Sequence, residues 1–362
     1  DIFELIKQRN VLLHHPYDSF HPVIDFLRAA ARDPNVLAIK QTVYRVGQNA
    51  RVVGALLDAI ERGKQVAVLV ELKARFDEES NIGWARMLEQ EGVHVIYGLV
   101  GLKVHCKVAM VVRKEGDGIR RYLHLGTGNY NAVTSLVYED MGLFTCDEAL
   151  ASDITDLFNH LTGYSTKHDF RKLLVAPFNL RSGLERLIRR EIGHAQSGRK
   201  AHLIFKVNAI VDQGFIELLY EASRAGVKVD LLVRSMCCLK PGVKGVSENV
   251  NVVSIVGRYL EHSRLYYFHN NGVEEIYMGS ADLMPRNLDH RVEVVFPVEN
   301  VEYVRYLRDQ MLETYLRDNR RARVMQENGT YQRLPPPSEE KALDVQEFFM
   351  KNSRGKEPKR AF

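Results

Sequence analysis

Leu102-Lys-Val-His-Cys-Lys-Val-Ala-Met110 decides the reading of the fold, because its pattern returns in Tyr259-Leu-Glu-His-Ser-Arg-Leu-Tyr-Tyr267. Each stretch sets a histidine two residues ahead of a cation at the head of an apolar run. His105 and His262 are 157 residues apart. Outward from them, the helix-to-strand run Leu57-Asp-Ala-Ile-Glu-Arg-Gly-Lys-Gln-Val-Ala-Val-Leu-Val70 has a counterpart in Tyr220-Glu-Ala-Ser-Arg-Ala-Gly-Val-Lys-Val-Asp-Leu-Leu-Val233, with Gly63 and Gly226 offset by 163. Leu125-Gly-Thr-Gly-Asn129 likewise answers to Met278-Gly-Ser-Ala-Asp282 at an offset of 153. A drift of this kind is what loop deletions between equivalent elements of a duplicated unit produce.

Through both copies, short β-branched runs alternate with helical stretches, the signature of an α/β architecture. Strands are expected over Val36–Thr42, Gln65–Leu72, His94–Tyr97, Val104–Val112 and Tyr122–Leu125, and a helix over Val52–Arg62 that Gly63 stops. The repeat places a first half over residues 1–172 with His105 and a second over 173–318 with His262. A tail over 319–362 follows, in which Pro335–Pro337 precedes a terminal helix near Glu339–Lys351 between polar, mobile segments.

Composition narrows the function classes. With 50 Lys plus Arg against 46 Asp plus Glu, the net charge of +4 permits an anionic partner without demanding one. Four cysteines, Cys237 and Cys238 adjacent, make neither a disulfide framework nor a paired zinc motif, so a reducing cytosolic setting is expected. No apolar run approaches the roughly 18 residues of a membrane span. The start at Asp1, without Met, is that expected of a piece of a longer chain.

Thirteen histidines and 50 Lys plus Arg in 362 residues generate roughly two His-x-Lys/Arg matches by chance, and two is what the sequence holds. The information lies in their equivalent places. On a strand, i and i+2 share a face, so His105 should project with Lys107, and His262 with Arg264, opposite an apolar face. An imidazole and a cation from each half, converging on one site, would suit phosphoryl transfer: a nucleophile, a second imidazole for proton transfer, and cations for the transferring oxygens. The other eleven histidines, including the adjacent His14 and His15, have no such equivalent and read as hydrogen-bonded core or surface residues. Glu139-Asp140 in the first half and Glu293 in the second follow the glycine-rich turns; a carboxylate there would fix an imidazole tautomer.

At these residues the chain resembles the phospholipase D superfamily, whose halves each contribute His-x-Lys, a downstream Asp and a Gly-Ser-x-x-Asn turn. Val112 and His269 stand where that Asp belongs, and Arg264 replaces the second Lys, which argues against ordinary phosphodiester hydrolysis. Over nearly its whole length the chain is similar to the C-terminal catalytic half of the histidine-phosphorylating polyphosphate kinases. Leu12-Leu-His-His-Pro-Tyr-Asp-Ser-Phe20, Ala38-Ile-Lys-Gln-Thr-Val-Tyr-Arg-Val46, Glu71-Leu-Lys-Ala-Arg-Phe-Asp-Glu-Glu-Ser-Asn81 and Ser280-Ala-Asp-Leu-Met-Pro-Arg-Asn287 carry that similarity.

The resemblance implies two pseudo-symmetric phospholipase D-like halves, each a mixed β-sheet flanked by helices. It implies that His105 takes the γ-phosphoryl group of ATP as a phosphohistidine and that His262 is the second catalytic imidazole. Tyr138, Arg234 and His262 would contact nucleotide, with Lys107 and Arg264 as substrate-binding cations. Arg45 and Arg75 would lie in the Mg²⁺ region; as cations they reach the metal only through phosphate or water. A basic channel for the polyanion could draw on Lys40, Lys73, Lys103, Lys107, Arg234, Arg258, Arg264 and Arg286. The implied partners are ATP or ADP and inorganic polyphosphate, with no nucleic acid and a homo-oligomer in the full-length protein. The implied place is the cytoplasm, with peripheral attachment to the inner membrane face left open. Without the family's N-terminal domains, the chain is expected to bind ATP weakly and turn over slowly. Two rivals stay open: a phosphodiesterase or nuclease that passes the phosphoryl group to water, and a non-enzymatic polyanion-binding module.

Overall fold

A computed structural model describes residues 1–43, 51–71, 78–98, 101–116, 118–163, 169–333, 335–336 and 338–352. They form two units, one of Asp1–Leu173 with His290–Val294, the other of Leu174–Asp289 with the described residues from Val295 onward.

The first unit runs α1 (Ile2–Gln8), β1 (Val11–His15), α2 (His21–Arg32), β2 (Val36–Val43), α3 (Arg51–Glu61), β3 (Gln65–Val70), α4 (Glu78–Gln90), β4 (His94–Ile96), β5 (Lys103–Val104), β6 (Lys107–Glu115), β7 (Gly118–Gly126), β8 (Tyr138–Thr145) and α5 (Glu148–Leu161). Its sheet has the order β1-β8-β7-β6-β2-β3-β4. β2, β3 and β4 are parallel, whereas β2–β6, β6–β7, β7–β8 and β8–β1 are antiparallel. Apolar residues at helical spacing explain the packing: α2 buries Val23, Ile24, Phe26, Leu27, Ala30 and Ala31, and α3 buries Val52, Val53, Ala55, Leu56 and Ala59. A side chain such as Phe26, fully buried, contributes roughly 1.5–3 kcal/mol. Gly63 turns the chain out of α3 at φ +75°, where a side chain would be strained.

The second unit runs β9 (Leu174–Ala176), α6 (Leu180–Gln196), β10 (His202–Val207), α7 (Gln213–Arg224), β11 (Lys228–Val233), β12 (Val250–Ser254), β13 (Leu260–Glu261), β14 (Arg264–Phe268), β15 (Glu275–Gly279), α8 (Pro285–Asp289) and β16 (Arg291–Val298), whose first residues cluster with the first unit. Then come α9 (Val301–Arg305), a π-helical stretch (Tyr306–Leu312), α10 (Glu313–Arg317), a hairpin of β17 (Arg323–Met325) and β18 (Tyr331–Arg333), and α11 (Val345–Lys351). β10, β11 and β12 are parallel, and β10–β14, β14–β15 and β15–β16 antiparallel. The run β4-β3-β2-β6-β7-β8 is thus repeated, direction for direction, by β12-β11-β10-β14-β15-β16, and the duplication read from the sequence is a duplication of topology.

Two expectations need correction. The strand expected over Val104–Val112 is interrupted at His105–Cys106, because the amides of both residues donate to one carbonyl, that of Val292, at 2.9 and 3.1 Å. Two consecutive donors on one acceptor arch the chain as a bulge does. The second half breaks at the same place, between β13 and β14, around His262–Ser263. The tail residues also depart from expectation. β17 adds antiparallel to β12 of the second sheet. The terminal helix begins only at Val345, where Asp344 caps the Gln346 and Glu347 amides. Before it, Glu339–Lys341 is a single 3₁₀ turn.

Candidate active site

His105 occupies the arch between β5 and β6, and bonds fix the backbone around it on every side. The Val104 amide donates to Glu71 Oε2 at 2.7 Å, and Thr42 Oγ1 donates to the Cys106 carbonyl at 2.8 Å while accepting the Val108 amide at 3.0 Å. Lys107, 2% exposed, donates from its ammonium to the His105 carbonyl. His105 Nδ1 lies 2.9 Å from Glu293 Oε2, on a carboxylate with no solvent exposure. That bond commits Nδ1 to donating and makes Nε2 the basic, nucleophilic nitrogen. A buried carboxylate at this distance also offsets the positive charge an imidazole gains on attack. Burial pushes the neighbouring Cys106 thiol up to about 12, so it does not compete as a thiolate.

Beside this arch, Thr127 Oγ1 donates to Asp140 Oδ1 at 2.7 Å. Gly128 permits the approach, since a Cβ there would lie 2.3 Å from Asp140 Oδ2. Glu139, the neighbouring carboxylate, meets His14 Nε2 at 2.9 Å. His14 is therefore the hydrogen-bonded core histidine that its lack of an equivalent suggested.

In the second half, His262 is half-buried in the equivalent arch, and Arg264 donates to its carbonyl as Lys107 does to that of His105. Arg264 also grips Asp282 through Nε and Nη2 at 3.2 and 3.0 Å. Burial pushes the Asp282 carboxyl up, but Arg264 and the Asn208 amide outweigh it and hold the group below its usual range. The cation expected to meet substrate thus helps to hold the arch and shares its charge with a buried carboxylate.

Of the remaining expected residues, Tyr138 opens β8 and Arg234 follows β11, both half-buried; Arg45, Arg75 and Lys73 lie outside the described residues. Lys40 and Lys103 are half-buried, and burial lowers the Lys40 pKa. Arg258 and Arg286 are exposed. Among the described residues, no group of three or more His, Cys, Asp or Glu is placed to hold a metal ion, and no helix is long and apolar enough to cross a membrane. Sequence reasoning gave no role to Thr42, Glu71, Lys206, Glu261, Tyr315 or Gln346. Thr42, Glu71 and Glu261 lay inside strings the sequence had singled out, Ala38–Val46, Glu71–Asn81 and Tyr259–Tyr267; Asn81, the last residue of the second, bonds the Glu71 carbonyl through Nδ2 at 3.0 Å.

Two family models match in tandem: polyphosphate kinase C-terminal domain 1 over residues 1–167, and C-terminal domain 2 over residues 173–346. The chain belongs to the polyphosphate kinase family. The polyphosphate kinase of Prosthecochloris aestuarii is 53% identical over 98% of this chain and 50% of its own length. That of Synechocystis sp. is 55% identical over 96% of this chain and 48% of its own. The chain thus spans about half the length of the curated polyphosphate kinases it matches. The crystal structure of polyphosphate kinase from Porphyromonas gingivalis superposes with a TM-score of 0.91 at 36% identity, over 98% of this chain and 54% of that one. Phosphatidylserine synthase from Haemophilus influenzae shares the fold alone, at a TM-score of 0.58 and 10% identity over 96% of this chain and 94% of its own.

Proposed function

We propose that this chain carries the catalytic centre for reversible transfer of the terminal phosphoryl group of ATP to inorganic polyphosphate, through a phosphohistidine on His105. The observation that carries the reading is the 2.9 Å bond from His105 Nδ1 to the buried Glu293 carboxylate, in a chain of the polyphosphate kinase family. In the first displacement the Nε2 lone pair forms a bond to the γ-phosphorus, the bond to the bridging oxygen breaks, and ADP leaves with that electron pair. In the second, a terminal oxygen of polyphosphate attacks the phosphorus and the N–P bond breaks, returning the imidazole and lengthening the polymer by one unit. Splitting the transfer lets one ring serve two acceptors in turn. Glu293 balances the cationic phosphoimidazole, and Lys107, Thr42 and Glu71 hold the backbone that carries it.

His262 is the second catalytic imidazole in this proposal, supported by its equivalent place in the repeat. Tyr138 and Arg234 are proposed nucleotide contacts. Mg²⁺ would come with the ATP phosphates and offset their charge; the described residues offer it no protein cage, and Arg45 and Arg75 would meet it only through phosphate. The test is synthesis of acid-insoluble polyphosphate from γ-labelled ATP by the wild type and by His105→Ala. Synthesis is expected from the first and not from the second; equal synthesis would overturn the mechanism. Release of label as orthophosphate, without polymer, would favour a hydrolase instead.

A further inference from the structure

We propose that Gln346, on the C-terminal helix α11, is a positioning residue that sets the backbone of the His262 arch. The inference rests on the reading of His262 as a catalytic imidazole.

Gln346 is 2% exposed and all of its amide is used. Nε2 donates to Glu261 Oε1 at 2.7 Å and to the Tyr259 carbonyl at 2.8 Å, while Oε1 accepts the Tyr259 amide at 2.9 Å. Glu261, the residue before His262, also accepts the Tyr315 hydroxyl at 2.7 Å on Oε2 and stands 3.0 Å from Lys206 Nζ. Lys206 donates in turn to Ser263 Oγ, the residue after His262, at 2.9 Å. The histidine is therefore flanked on both sides by residues tied into one buried network, and Gln346 is the member that comes from the far end of the chain.

The pit that receives the amide is specific. A Cβ on Gly257 would lie 2.4 Å from Gln346 Oε1, so only glycine leaves the seat open. The helix is held to this seat by its own start: Asp318 Oδ2 accepts the Val345 amide at 2.7 Å, and Arg321 Nε pairs with Asp344 at 2.7 Å. Docking a seven-residue helix needs apolar contact, which Val345 and Phe349 supply. A buried amide bonded to a charged network adds little net stability of its own, since its bonds replace bonds to water, although removing it alone takes a partner from Tyr259 and Glu261. What the amide adds is geometry, since it fixes Tyr259 and Glu261, three residues and one residue ahead of His262. The first half fixes the residue before its own histidine in a comparable way, through Glu71 and the Val104 amide.

The test uses Gln346→Met and Gln346→Glu in the intact enzyme, with His262→Ala alongside. Gln346→Met keeps length and packing but loses every bond. It should lower kcat for polyphosphate synthesis by roughly tenfold to a hundredfold, as a misplaced catalytic group does, with KM for ATP little changed; the melting temperature falls because Tyr259 and Glu261 lose that partner, so kcat is read well below it. Gln346→Glu sets two carboxyls face to face, so it should be impaired at pH 8 and recover as the pH falls and the pair shares a proton that restores the donor. Wild-type kcat in Gln346→Met, or a wild-type pH profile in Gln346→Glu, overturns the inference; if Gln346→Met does not fold, the pH profile decides. Full activity in His262→Ala would remove the underlying reading, whereas loss there beside wild-type kcat in Gln346→Met removes only the role of Gln346.

Discussion

Replacing Glu293 by Gln keeps the size and planarity of the side chain and removes one charge from the partner of His105. The bond at stake, 2.9 Å long, sits on a carboxylate with no exposure, so solvent does not compensate the change. A hydrogen bond to a charged group contributes about 1.5–3 kcal/mol, and the upper part of that range applies because the ring becomes cationic only as phosphorus is attacked. At 1.36 kcal/mol per decade, a loss of about 2–3 kcal/mol in the transition state slows phosphorylation roughly 30- to 150-fold. The amide carbonyl can still accept from Nδ1, so the ring stays oriented and ATP affinity should hold. Rapid-quench labelling of His105 from γ-labelled ATP, in a single turnover, reads the step directly. A wild-type labelling rate in Glu293→Gln would show that the carboxylate does not stabilise the phosphorylated ring.

Three further outcomes follow from the same geometry. Gly128→Ala drives a methyl group to within 2.3 Å of Asp140 Oδ2; overpacking of this kind should destabilise by about 1–3 kcal/mol, and an unchanged urea midpoint would contradict it. Burial holds His124 at about 3, below its ordinary 6.5, so the unfolded chain takes up the proton first. Its stability contribution is complete above pH 6.5 and is lost as pH falls toward 3, amounting to about 2 kcal/mol by pH 5. Urea unfolding at pH 7.5 and pH 5 should show that loss in the wild type and a smaller one in His124→Gln; equal losses would refute it. Thiol titration of the native protein should modify exposed Cys238 quickly and buried Cys106 only on unfolding; fast labelling of Cys106 would contradict its burial.

The duplication was legible because it is written in polar as well as apolar residues, at Gly63 and Gly226, His105 and His262, Lys107 and Arg264. Glu293 was legible as a carboxylate after a glycine-rich turn, though only the structure pairs it with His105. The break at His105–Cys106 was not, since it depends on the Val292 carbonyl, which comes from more than 180 residues further along the chain. Strand periodicity carries no trace of such a contact. The seating of α11 was hidden for the same reason: a terminal helix was expected there, but Gln346 meets Tyr259 and Glu261 across a sequence separation of more than 80 residues. Lys107 and Arg264 show a further limit. Their spacing from the histidines was informative, but spacing alone did not say that both would bond the backbone carbonyl of the histidine they follow.

The central claim is that His105 Nε2 receives the phosphoryl group while Glu293 occupies Nδ1. Trapping the labelled enzyme with ATP, digesting it under alkaline conditions and assigning the phosphohistidine isomer by ³¹P NMR with peptide mass spectrometry tests it most directly. A single Nε2-phosphohistidine is expected, in the peptide containing His105; an Nδ1 isomer there, or label on His262 instead, would contradict it.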